Sequence, residues 1–259
     1  GSSLKPLSVY SPGLEMGVIS PITVVDDYPY QVLNGSPWPI NSGSARYKGL
    51  TTVRQGLAQS VNTIALRVLA DRVTVDASFD FVQSRYHIDL VQAQQSGDTV
   101  QSDMSLAPLS MGGLTKGVTT RQMATAFAAF PSGGIYRTSR TYTKVTDSEG
   151  NTIMENTPNT DKGFTNVRTA YYMLDCLQNV TAHGTAYGIQ LDGVETGGKT
   201  GTTTSNTDIW FCGITPKYSG AVWVGYEHNY RLDGLYGRNA AEIWLAVMQK
   251  VHAGDSGLV

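Results

Sequence analysis

The chain has 259 residues, a length that suits one large domain or two small ones and can bury a sizeable core. Hydrophobic residues make up 41%, charged residues 15%, and the formal net charge is -2, a folded and soluble composition rather than a disordered one. There is no Lys/Arg run to suit nucleic acid, no apolar stretch of membrane-span length and no visible signal peptide, so the chain reads as cytosolic or as an excised domain whose anchor is elsewhere.

Residues 1–16 suit a helix, with a break or bend expected near Pro12 and Gly13. Residues 17–50, rich in Pro, Gly, Asn and Tyr, read as a long irregular connection of the kind that is usually functional or packed. From Thr52 the pattern is helical, with Val53, Leu57, Val61, Ile64, Ala65 and Val68 at spacings of three and four. Thr74 caps the next helix, with Asp76 in its first turn and Val75, Phe79, Val82 and Tyr86 on one face. Residues 91–118 read as loop. Thr119 and Gln122 form a T-x-x-Q capping box for a helix carrying Met123, Phe127 and Phe130, which stops at "PSGG". Two β-like runs then flank an Asp-Ser-Glu-Gly turn.

A further helix starts near Asn166, with Val167, Ala170, Tyr171, Leu174, Leu177 and Val180 inward. The period then changes to three short strands, "ETGGKTGTTTS", "TDIWFCGITP" and "GAVWVGYEH", with a hairpin at Pro216–Gly220. A closing helix spans about 238–252, with Ile243, Leu245, Val247, Met248 and Val251. Helices followed by an antiparallel meander argue an α+β fold, helical over about 1–190 and sheet plus closing helix over about 191–259.

Three short motifs carry chemistry. In Ser2-Ser3-Leu4-Lys5 a helix puts Ser2 and Lys5 on one face, and a lysine with a lowered pKa can activate a serine. The alternative is that Gly1-Ser2-Ser3 is the scar of a cleaved purification tag. Ser60-Val61-Asn62 interrupts a helical pattern with two poor helix formers. It is either a capped junction or a pair of polar groups entering a pocket. Lys199-Thr200-Gly201-Thr202-Thr203 sets a cation and hydroxyls around a glycine, which suits a carboxylate, and an edge strand there could accept a peptide as an added strand. The bland alternative is a polar strand with a bulge. The four histidines are scattered, and Cys176 and Cys212 lack any CxxC partner, so no metal site is expected and both thiols are expected buried and unpaired.

One S-x-x-K, one S-x-N and one K-T-G occur, in that order, which matches the motif trio of penicillin-binding proteins and class A β-lactamases, where S-D-N is the usual middle member. Collinear stretches extend the likeness: "GSSLKP", "WPINSGSARYKGLTTVRQGLAQSVNTIAL", "GVTTRQMATAFAAFPSGGIY", "MLDCLQNVTAHGTA" and "GGKTGTTTSNTDIWFCGITPKYSGAVWVGYE". The chain resembles the transpeptidase domain of bifunctional class A penicillin-binding proteins, and the tag explanation leaves "LKPLSVY" unaccounted for.

The resemblance implies a penicillin-binding-protein/β-lactamase-like fold and a role for each motif residue. Ser2 is implied as the acylated nucleophile and Lys5 as its base. Ser60 passes a proton to the departing amine, and Lys199 supplies charge between Ser60 and the substrate carboxylate. Asn62 is implied to hold the donor amide and Thr200 and Thr202 to bind the carboxylate, with Gly201 and Thr203 counted among the substrate-binding residues. The backbone N–H groups of Ser2 and Thr202 form the oxyanion hole. The implied partners are peptidoglycan stem peptides ending in D-Ala-D-Ala and β-lactam antibiotics. No cofactor is implied.

The family places a strand and helix, a linker, a glycosyltransferase domain and a membrane anchor before the serine motif, on the outer face of the bacterial membrane. Here nothing precedes Gly1, so the expectation is a truncated single domain lacking N-terminal strands, with the activity of the isolated chain left open. Three alternatives stay in view. One is a D,D-carboxypeptidase or serine β-lactamase on the same fold. Another is a non-catalytic β-lactam-binding sensor. The last is a purely structural domain.

Overall fold

The computed structural model describes residues 1–42, 47–164 and 166–254, so residues 43–46 of the expected irregular connection lie outside the described residues. The chain begins with an uninterrupted helical segment: a tight turn over Ser2–Leu4, a widened turn over Pro6–Tyr10, and α1 (Ser11–Glu15). The helical run is not broken at Pro12 and Gly13 and ends shortly after them, at Glu15. The widened turn before Pro12, in which the Ser11 N–H reaches back to the Pro6 carbonyl, makes room for the proline, and the Ser8 carbonyl that Pro12 cannot use accepts the Ser78 hydroxyl at 2.5 Å. Gly13 serves packing instead, because a Cβ there would come within 2.8 Å of the Ile19 side chain.

The connection after α1 is not structureless. Strand β1 (Val24–Asp27) pairs antiparallel with β4 (Gly49–Thr52), and between them β2 (Gln31–Leu33) pairs with β3 (Ser36–Trp38). Helices α2 (Val53–Ala58), α3 (Asn62–Val68) and α4 (Val75–Tyr86) follow. Thr74 caps α4 through the Ala77 N–H, as its position predicts. The expected 91–118 loop contains a small hairpin, β5 (Gln94–Ser96) with β6 (Thr99–Gln101), and a short helix, α5 (Leu106–Met111). All six hairpin residues are exposed, so no alternation marks them.

Next come α6 (Thr120–Phe127) under its Thr119/Gln122 capping box, then β7 (Ile135–Arg137), β8 (Lys144–Thr146), β9 (Thr152–Glu155) and β10 (Thr160–Lys162). β8 and β9 are the hairpin read around the Asp-Ser-Glu-Gly turn, and β7 pairs with β10. Helix α7 (Val167–His183) starts at an Asn166 cap. The three C-terminal strands β11 (Gly197–Thr202), β12 (Asp208–Ile214) and β13 (Ser219–Gly225) form one antiparallel sheet in that order, and α8 (Gly237–Val251) closes the chain.

The layers explain where the core sits. Central strand β12 is buried over Ile209–Ile214, as expected of a strand covered on both faces. On one face lies α8, whose Trp244 meets Phe211 edge-on at 5.5 Å. Burying such an aromatic contributes about 1.5–3 kcal/mol. On the other side α7 packs along β11 and α6 along β13, where Ser219 Oγ donates to the Ala124 carbonyl at 2.8 Å. The N-terminal helix runs through the middle of the helical half, with Leu7, Val9 and Tyr10 buried. Mixed helical and sheet content of this kind is the α+β arrangement read from the element order. Among the described residues, no helix is long and apolar enough to cross a membrane.

Candidate active site

Three chain segments converge at the start of the N-terminal helix. That helix presents Ser2 and, one turn on, Lys5. The Lys5 side chain is completely buried, and its Nζ donates to the Ser60 carbonyl at 2.8 Å and to Asn62 Oδ1 at 2.6 Å. The direct Lys5–Ser2 bond expected from the i,i+3 spacing is not formed. Ser2 is half-buried and its Oγ bonds no described residue. A buried lysine head group needs acceptors for its N–H bonds, and a backbone carbonyl and an amide oxygen supply them.

Those acceptors exist because the helical pattern from Thr52 is interrupted. α2 ends at Ala58 and α3 begins at Asn62. Between them Ser60 takes a left-handed conformation, φ 57°. The turn is closed by the Val61 N–H on the Gly56 carbonyl at 2.8 Å. It turns the Ser60 carbonyl to Lys5 and the Ser60 hydroxyl to Lys199, whose Nζ donates to Ser60 Oγ at 2.8 Å. Asn62 Nδ2 donates to the Ile40 carbonyl at 2.8 Å.

The third segment is β11, an edge strand of its sheet. Lys199 is also completely buried and has a second acceptor in the Thr200 carbonyl at 3.0 Å. Gly201 has a packing role in the fold. It is buried, and a Cβ there would stand 2.9 Å from Ser3 Oγ and 3.0 Å from Ser3 N, so its bareness lets β11 approach the N-terminal helix. Gly1 also lies close to the Thr202 backbone, 3.2 Å from an added Cβ. The Ser2 and Thr202 segments are therefore held side by side.

Thr200 is 7% exposed and its hydroxyl shares a 2.6 Å hydrogen bond with that of Thr185. Thr202 is exposed. Thr203 is engaged in the turn after β11, accepting from the Asp208 N–H at 3.1 Å and lying 3.1 Å from Thr207 Oγ1. Thr185 and Ile40 were not singled out from sequence, although they lie in the quoted "AHGTA" and "WPIN" stretches.

Electrostatics suit proton transfer. Burial, reinforced by the charge of Lys199, holds Lys5 well below the ordinary lysine range. Burial brings Lys199 from 10.5 down to about 7. Cys212, paired in register with Lys199 across β11 and β12, is buried, and its thiol is pushed up to about 12. It and Cys176 are free and buried, inert by the usual criterion. Among the described residues, no three His, Cys, Asp or Glu side chains converge as a metal set. A cleft of about 460 Å³ reaches Gly1, Ser3 and Thr203 at the edge of this constellation, with Lys116, Asp208 and Trp223 on its walls, and none of Ser2, Lys5, Ser60, Asn62 and Lys199 lines it.

Residues 1–249 match the family described as the penicillin binding protein transpeptidase domain. Over 259 residues the chain is 33% identical to penicillin-binding protein 1A of Clostridium botulinum, covering 97% of this chain and 30% of that protein. It is 29% identical to penicillin-binding protein 4 of Bacillus subtilis, covering 97% of this chain and 38% of that one. The chain thus spans about a third of the length of these curated relatives. In three dimensions it resembles penicillin-binding protein 1A of Haemophilus influenzae at TM-score 0.81 and 23% identity, over 100% of this chain and 43% of that one. It also resembles the PonA1 protein of Mycobacterium tuberculosis, solved in complex with penicillin V, at TM-score 0.82 and 23% identity, over 100% of this chain and 70% of that one.

Proposed function

The chain belongs to the penicillin-binding protein transpeptidase family, and from that premise we propose that it performs peptidoglycan D,D-transpeptidation through a Ser2 acyl-enzyme and is acylated by β-lactams. The observation that carries this is the position of Ser60 between two buried lysines, its carbonyl on Lys5 and its hydroxyl on Lys199. The carbonyl contact holds Lys5 beside Ser60, and the Ser60 hydroxyl, held by Lys199, is the group that can take up one proton as it gives up another, which acyl transfer needs twice.

A neutral Lys5 spends its two N–H bonds on the Ser60 carbonyl and Asn62 Oδ1 and keeps its lone pair, which takes the Ser2 proton once the Ser2 hydroxyl turns to it, as Ser2 Oγ attacks the carbonyl of the penultimate D-Ala. The developing oxyanion is met by the backbone N–H groups of Ser2 and Thr202, a contribution worth about a hundredfold to a thousandfold per donor. The proton passes through Ser60, with Lys199 holding its hydroxyl, to the amine of the terminal D-Ala, and that C–N bond breaks. An amine from a neighbouring stem peptide then attacks the ester. It gives up its proton along the same route and frees Ser2 with a new amide cross-link. Asn62 holds the donor amide, and Lys199, Thr200 and Thr202 face the donor carboxylate. Thr200 keeps its Thr185 bond in this role, accepting from the Thr185 hydroxyl while it donates its own hydrogen to the ligand carboxylate. The chemistry calls on side chains and backbone alone.

The natural setting proposed is the outer face of a bacterial membrane, with a glycosyltransferase domain and an anchor supplied by sequence outside this chain. The test is incubation of the full-length protein with a fluorescent penicillin, followed by digestion and identification of the labelled peptide. A stable adduct on Ser2 is expected. A label elsewhere, or none, removes the mechanism, and rapid hydrolysis of a chromogenic cephalosporin reassigns the chain to the β-lactamases.

A further inference from the structure

We propose that Asn41, oriented by Asp27, is the positioning residue for Asn62, capping α3 from a distant segment and thereby fixing the amide that meets the donor. This rests on the reading of Asn62 given above. The first N–H groups of a helix need acceptors from outside the helix. Helix α3 starts at Asn62, and the residue before it, Val61, has no side chain that can accept. Asn41 Oδ1 supplies the missing acceptor, taking the Asn62 N–H at 2.9 Å and the Thr63 N–H at 3.3 Å.

For that oxygen to face the helix, the Asn41 amide must be turned one way. Asp27 sets the sense. Its Oδ1 accepts from Asn41 Nδ2 at 2.6 Å, and a reversed amide would set oxygen against carboxylate and NH₂ against two N–H groups. The Asp27 carboxylate is itself buried and held, with Oδ2 accepting the Lys48 N–H at 2.8 Å and Oδ1 accepting the Thr63 hydroxyl. The neighbouring residue completes the grip, because the Ile40 carbonyl takes one Nδ2 hydrogen of Asn62 at 2.8 Å. Residues 40–41 thus hold both the backbone and the side chain of Asn62. With Oδ1 committed to Lys5, Asn62 keeps one amide hydrogen for an incoming carbonyl.

The experiment compares two β-lactams on the full-length protein. Benzylpenicillin carries an acylamino carbonyl for Asn62 to bind, and 6-aminopenicillanic acid does not. The ratio of their second-order acylation constants isolates that contact from general effects on folding. Asn62→Ala defines its loss. Asn41→Ala is expected to lower the ratio by about ten- to a hundredfold, the cost of small misplacements in acyl transfer. Adding Asn41→Ala to Asn62→Ala should lower it no further. Asp27→Asn is nearly isosteric and keeps the test available if Asn41→Ala does not fold; it should lower the ratio in the same sense. If Asn62→Ala lowers the ratio while Asn41→Ala and Asp27→Asn slow both β-lactams equally, Asn41 is only structural and the proposal falls. If Asn62→Ala itself leaves the ratio unchanged, the reading of Asn62 fails and the proposal with it.

Discussion

Gly201→Ala tests the closeness of β11 to the N-terminal helix with a single methyl group. The added Cβ would stand 2.9 Å from Ser3 Oγ, 3.0 Å from Ser3 N and 3.1 Å from Trp210 Cβ, against an ordinary contact of at least 3.4 Å. The Ser3 hydroxyl can rotate away, but its backbone nitrogen and the Trp210 Cβ cannot. Relief therefore requires the strand and the helix to part by about 0.3–0.5 Å. Overpacking of this kind costs about 1–3 kcal/mol, which for a domain of this size lowers Tm by about 2–4 °C per kcal/mol. The same displacement separates the Ser2 and Thr202 N–H groups, so acylation should fall further than stability, by up to about a hundredfold. Thermal unfolding and the rate of labelling by a fluorescent penicillin measure the two effects on one sample. Wild-type labelling with an unchanged Tm would refute the reasoning, because the methyl group would then have found room that the packing denies it.

Lys5→Arg puts a permanent cation where the mechanism needs a neutral base, so labelling of Ser2 should drop about a hundredfold or more, measured by stopped-flow acylation. Lys199 binds its proton less tightly when folded, about 7 against 10.5, so the unfolded chain holds more protons between those values and stability attributable to this group rises as the pH goes from about 7 to 10.5. Urea midpoints of the wild type and Lys199→Met across that window should therefore converge or cross in the wild type's favour at the alkaline end. Thr185→Val leaves the buried Thr200 hydroxyl without its 2.6 Å partner and should cost about 1–3 kcal/mol, read by chemical denaturation. Arg54→Ala removes a two-point contact to Asp175 at 2.7 and 3.0 Å that ties α2 to α7, but both side chains are about 40% exposed, so the loss should stay under about 1 kcal/mol and labelling should be unaffected.

What the sequence revealed follows from how far apart its signals lie. The capping box at Thr119 and Gln122, the caps at Thr74 and Asn166 and the meander over 197–225 are local, and each could be read from a few adjacent residues. Helix α5 was hidden because it is six residues long and buries only Leu109 and Ser110, too little to set a period. Ser60 and Asn62 stood out as poor helix formers, yet only the fold shows that the turn between them faces two lysines. The cap supplied by Asn41 spans 21 residues and replaces a local signal that Val61 fails to give. The service Gly201 performs for Ser3 spans nearly two hundred residues and leaves no trace in spacing.

The left-handed turn at Ser60 has a consequence for selection. Nothing in that backbone asks for a serine. Asparagine is several-fold enriched in this conformation, and glycine enters it without steric cost. Either would serve the loop between α2 and α3 as well or better, and neither carries the hydroxyl that meets Lys199. A library of variants screened only for heat resistance should therefore drift away from serine at position 60, while one screened for growth under cell-wall stress should hold it. Under the relay role proposed for Ser60 the two screens would disagree at this position, for a reason visible in one torsion angle; agreement between them would count against that role.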